Sequence, residues 1–158
     1  MKIVDGDSHL IEPLNLYEKY CVSGVRYRSM RAAKDPKTGG RVLVVDGRPM
    51  HLGSDTDEML SIVVGYGQKE AGSALNEFDR SLYLEGDWQN KTKRVQFLDT
   101  QNIDYLVLYP TLGLLWEGEV SEPRLAAALC RAYNTWAFEI CTGHLDRLLP
   151  VAHISLRD

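Results

Sequence analysis

No apolar run in this 158-residue chain approaches the roughly 20 residues that a membrane-spanning helix requires. The opening MKIVDGDSH has no basic region followed by an apolar stretch, so a secretory leader is not expected. Cysteine is scarce: Cys21, Cys130 and Cys141 cannot all pair, which argues against a disulfide scaffold and for a reducing, cytoplasmic setting. Basic residues are in the minority, 18 against 22 acidic, for a net charge of −4. They are also scattered, so there is no basic stripe to follow a phosphate backbone, and neither nucleic acid nor a membrane is an expected partner. Internal repeats and low-complexity segments are missing too.

What is present is a chain that is 44% hydrophobic, enough for one soluble domain with a real core. Three apolar runs have the character of strands: residues 2–8, Ile103–Pro110 and Arg147–Leu156. The last two are nearly continuous, as in parallel strands buried on both faces. Between them the pattern is helical. Lys91–Gln101 sets Val95, Leu98 and Phe97 on an apolar side, with Asn102 as a left-handed stop. A longer helix is expected from a Ser121 cap through Pro123 to Gly143, with Leu125, Leu129, Ala132, Trp136 and Ile140 at spacings of three or four. Strand, helix, strand, helix, strand is the order of an α/β winding with a parallel sheet.

Residues 22–88 break that order and read as a hairpin and loop region inserted after the first strand. RVLVVDGRPMHL suggests two short strands turning at Asp46-Gly47, a dipeptide that tolerates positive φ. LSIVVGYGQKEAG carries Gly65, Gly67 and Gly72 near acidic Glu85 and Asp87, but the third glycine falls too late for a nucleotide fingerprint, and a loop is the better reading. Asn90-Lys91-Thr92 matches a glycosylation acceptor; a helix cap is the simpler explanation. Trp88, Trp116 and Trp136 are expected to pack, as are Cys130 and Cys141 on one helix face. His51 in the hairpin and His144 at a helix end are expected to be solvated.

The candidate chemistry lies in VDGDSHLIEP, residues 4–13. On an extended strand, side chains alternate with a period of two, which places Ile3, Asp5, Asp7 and His9 on one face. A carboxylate and an imidazole two residues apart at a strand end can hold a metal ion. A capping carboxylate and an ordinary buried histidine are the alternative.

VDGDSHLIEP, then RVQFLDTQNIDYLVLYPTLGL, then PRLAAALCRAYNTWAFEICTGHLDRLLPVAHISL together resemble the amidohydrolase-related family. This is the branch of the amidohydrolase superfamily that includes aminocarboxymuconate-semialdehyde decarboxylase. The resemblance covers nearly the whole chain in order. It implies the N-terminal portion of a metal-bearing (β/α)8 barrel, with residues 1–158 supplying about three of the eight units. It implies Asp7 and His9 as the first metal ligands, Asp7 standing where many relatives have His or Glu. It further implies Glu12, Tyr109 and Thr111 on the substrate side, and a divalent ion, Zn²⁺ or Mn²⁺, as cofactor. The implied reaction is hydrolysis of a C–N or C–C bond, or non-oxidative decarboxylation of a small carboxylic acid.

The family's later His ligands and late Asp have no counterpart in this chain, and His153 matches none of them. The ion could therefore be missing from a chain this short. Two expectations stand side by side. One is a fragment or half of an enzyme, completed by a second chain or by self-association; the other is a catalytically incomplete module that binds itself or a partner.

Overall fold

The computed structural model describes residues 1–37, 39–51 and 90–157. Three strands, β1 (Val4–Leu10), β5 (Tyr105–Pro110) and β6 (Leu148–Pro150), form a parallel sheet in the order β1-β5-β6. A separate antiparallel sheet is built from β2 (Arg31–Lys34), β3 (Arg41–Val45) and β4 (Arg48–Pro49). Its turn at Asp46-Gly47 has both residues at positive φ, 54° and 73°, as the dipeptide suggested. The helices are α1 (Leu16–Tyr20), α2 (Ser23–Arg26), α3 (Lys91–Gln101), α4 (Gly113–Trp116) and α5 (Pro123–Cys141). The glycine run at 60–72, Glu85, Asp87 and Trp88 lie outside the described residues.

Local signals fix the helix ends. Asn90 caps α3 by accepting a hydrogen bond from the Lys93 amide, and Asn102 closes it in the left-handed region at φ 54°. For α5 the cap is Glu122 rather than Ser121: its carboxylate accepts from the amides of Arg124 and Leu125. With Pro123 fixed at the first helical position, the residue just before it occupies the cap geometry. At about 28 Å, α5 turns Leu125, Leu129, Ala132 and Trp136 onto the sheet and α1. Phe97, expected on the apolar side of α3, is exposed, and buried Arg94 takes a place in that side with Leu98.

The parallel strands are covered on one face. Leu106, Leu108, Pro110 and Leu148 are buried beneath the helices, whereas Tyr105, Val107 and Tyr109 are half-buried and Leu149 is exposed. Burial on both faces, the expectation from their composition, is thus not met among the described residues. In a closed barrel this second face lines the interior, which takes more strands to enclose than the three parallel strands among the described residues. The third strand is also shorter than expected. Strand β6 ends at Pro150, opposite Leu108; the Val151 amide still donates to the Leu108 carbonyl at 2.9 Å, and beyond it the His153 backbone is held by the Asn134 side chain.

Candidate metal centre

The ends of β1 and β5 position the site. Pairing along β1 slips between Asp5 and Ser8: Asp5 faces Leu106 and Ser8 faces Leu108, with Gly6 and Asp7 forming a bulge. Paired residues share a face, so the extra residue reverses the phase. Asp5 lies on the helix-covered side with Leu106, while His9 lies with Tyr109 on the open side. The expected common face for Ile3, Asp5, Asp7 and His9 is therefore wrong for its first half. It holds for the pair that matters, since Asp7 Oδ1 stands 3.9 Å from His9 Nε2. The Asp7 amide donates to Asp5 Oδ1 across the bulge.

His9 is held at both its backbone and its ring. Arg94 reaches from α3 and donates to the His9 carbonyl at 2.7 Å. Ring nitrogen Nδ1 lies 3.0 Å from the Pro110 carbonyl oxygen and 3.1 Å from Thr111 Oγ1. A carbonyl oxygen can only accept, so Nδ1 carries a hydrogen, which leaves Nε2, on the Asp7 side, as the nitrogen through which the ring could bind an ion. This is how metal-binding histidines are oriented, with the second nitrogen donating to a backbone carbonyl. Two ligands of one tetrahedral ion at 2.0–2.1 Å would lie about 3.3–3.4 Å apart. The observed 3.9 Å is about 0.5–0.6 Å longer than that, and the Asp7 side chain is 92% exposed and free to adjust. His9 and Asp7 therefore suit an ion as two of its ligands. Among the described residues there is no group of three or more His, Cys, Asp or Glu able to hold a metal.

Tyr109 flanks the pair, its ring tilted at 43° and 6.2 Å from that of His9. Thr111 is buried, with its hydroxyl on His9. Glu12 is placed differently from a residue that contacts substrate. Fully buried, its carboxylate accepts hydrogen bonds from the amides of Thr111, Leu112 and Gly113 at 2.8–3.2 Å. Burial pushes its pKa up to about 7, outweighing the backbone amides, which favour the charged form.

Around Glu12 the packing is aromatic. Trp116 donates through its indole nitrogen to the Tyr17 hydroxyl at 3.0 Å and stacks on His153 at 4.8 Å. His153 is buried, with Nε2 3.4 Å from Glu117, so it belongs to the core beneath the loop after β5. His51 has an exposed ring yet meets Glu119 at 3.0 Å. Burial pushes the Cys21 thiol up to about 11 and raises those of Cys130 and Cys141, which leaves none of them a ready thiolate. Arg94 and the amide cradle around Glu12 had no signal in the sequence, because an arginine inside a helix and a Glu-Pro after a strand look like surface features.

No family model matches the sequence, and no curated protein does. Among solved structures, the chain is similar to an amidohydrolase from Mycobacterium avium subsp. paratuberculosis K-10, with a TM-score of 0.71 at 21% sequence identity. The match covers 99% of this chain and 43% of that one, so the chain spans less than half the length of the amidohydrolase. The fold is that of part of a (β/α)8-type barrel, with a hairpin region after the first strand.

Proposed function

We propose that the chain supplies the first ligands of a metal-dependent amidohydrolase-type site, with Asp7 and His9 holding a divalent ion, Zn²⁺ or Mn²⁺. The observation that carries this reading is the orientation of His9, whose Nδ1 is committed to the Pro110 carbonyl while Nε2 faces a free carboxylate. Such an ion, when bound, polarises a carbonyl or lowers the pKa of a water ligand to about 7. Tyr109, on the same face, forms a wall for a small-molecule substrate, and Thr111 acts by holding the imidazole. Hydrolysis of a C–N or C–C bond and non-oxidative decarboxylation of a small acid both suit this arrangement.

Two ligands are fewer than the three a catalytic zinc site ordinarily has. The remaining ligands are to be supplied from outside the described residues, where the rest of a barrel, a second chain or another copy of this one would place them. Among the described residues β1 and β6 are both edge strands of the sheet, and Ile3, Val4, Leu149, Ile154 and Leu156 are exposed on or near them. The same edges serve a non-catalytic association module equally well, and metal binding separates the two readings. Calorimetric titration of the chain with Zn²⁺ and with Mn²⁺ is expected to show binding that weakens at least about 100-fold in His9→Ala. Equal affinity in the wild type and His9→Ala would reject the metal reading in favour of the module.

A further inference from the structure

We infer that Glu12 is a positioning residue for the metal centre, fixing through a single peptide plane which nitrogen of His9 is free to bind an ion. This rests on the metal reading of His9 for its consequence, but not for its geometry.

The Pro110 carbonyl and the Thr111 amide belong to the same peptide unit, and no peptide bond among the described residues is cis. In a trans unit the C=O and N–H point in opposite directions. The N–H end of this plane donates to both carboxylate oxygens of Glu12, at 3.2 and 3.1 Å. Its C=O end accepts from His9 Nδ1 at 3.0 Å. Glu12 and His9 thus grip opposite ends of one rigid group. The next two amides, Leu112 and Gly113 at 2.9 and 2.8 Å, anchor the plane to the following turn.

Rotation of that plane would turn an N–H towards Nδ1. The imidazole would then have to accept there and move its hydrogen to Nε2, the nitrogen that faces Asp7, where a protonated nitrogen cannot ligate a metal. Water cannot replace Glu12 in holding the plane, because the carboxylate is fully buried. Gly113 reinforces the fit: a β-carbon on it would come within 3.1 Å of Glu12 Oε1 and 3.0 Å of the Pro110 side chain.

The test is long-range ¹H–¹⁵N NMR of the metal-free chain at about pH 8, where pyrrole-like and pyridine-like ring nitrogens are distinguished directly. It is run on the wild type, Glu12→Gln and Thr111→Val, alongside Zn²⁺ titration. The wild type is expected to show a pyridine-like Nε2. Glu12→Gln, which places an NH₂ against amide donors, is expected to populate the opposite tautomer and weaken Zn²⁺ binding about 10-fold or more. Thr111→Val keeps the plane and is expected to keep the tautomer. A pyridine-like Nδ1 in the wild type overturns the inference, whether or not the Gln variant folds. So does an unchanged tautomer in a folded Glu12→Gln. A tautomer shift in a chain that binds no Zn²⁺ supports the positioning role and defeats the metal reading instead; undiminished Zn²⁺ binding with an unshifted tautomer does the reverse.

Discussion

Glu12→Gln should reverse its effect on stability between pH 5 and pH 8. In the unfolded chain Glu12 loses its proton near the ordinary 4.5; folded, its burial delays this until about 7. Between those values the native state holds a proton that the unfolded state has released, so stability falls as pH rises, by up to about 1.4 kcal/mol per pH unit. A displacement from 4.5 to about 7 corresponds to about 3 kcal/mol, lost by pH 8. The Gln side chain has no such slope. Its NH₂ leaves one of the three buried amide donors poorly matched, which costs about 1–3 kcal/mol at every pH. The variant is therefore less stable than the wild type at pH 5 and equal to it or more stable at pH 8. Urea unfolding of both chains across this range isolates Glu12 from Asp46 and Asp104, whose carboxyls an arginine and a backbone amide respectively hold below the usual range, since those contributions cancel in the difference. Parallel stability curves would refute the reasoning. So would a wild type that gains on the variant as pH rises, because that would mean the backbone amides outweigh burial.

Other substitutions probe the surrounding structure by the same denaturation assay. Gly113→Ala drives a β-carbon to 3.0 Å from the Pro110 side chain and 3.3 Å from His153 Nδ1, and is expected to destabilise by about 1–3 kcal/mol; no change would mean that the loop yields freely. The Tyr133 hydroxyl is buried with no hydrogen-bond partner among the described residues, so Tyr133→Phe should leave stability unchanged or raise it by about 1 kcal/mol. A clear loss there would reveal a bond to that hydroxyl. Asn90→Ala removes the cap on α3 and should cost about 1 kcal/mol, with a matching loss of helical circular dichroism on heating.

The parts of the fold legible in the sequence are those written in short windows. Asn90 and Asn102 bracket α3, Asp46-Gly47 turns the hairpin, and the stripe through Leu125, Leu129, Ala132 and Trp136 faces the core, each from signals only a few residues apart. What stayed hidden depends on residues distant in the chain. The bulge at Gly6-Asp7 is a property of pairing with β5, about 100 residues away, and it reverses the face of Asp5 without changing the appearance of the sequence. Glu12 and Gly113 are 101 positions apart, so nothing local announces that a Glu-Pro folds inward onto three amides. Arg94 looks like a surface residue in α3 until the His9 carbonyl is seen within its reach. Within the site, Asp7 and His9 were legible as a pair because two residues on one short segment suffice to bring them together.

Anomalous diffraction at the zinc edge, from crystals of the chain grown with Zn²⁺, tests the metal centre most directly. The account predicts a peak bonded to both His9 Nε2 and Asp7 Oδ1, at about 2.0–2.2 Å from each. A peak on His9 Nδ1, or full zinc occupancy elsewhere with these two side chains left unbound, would contradict it.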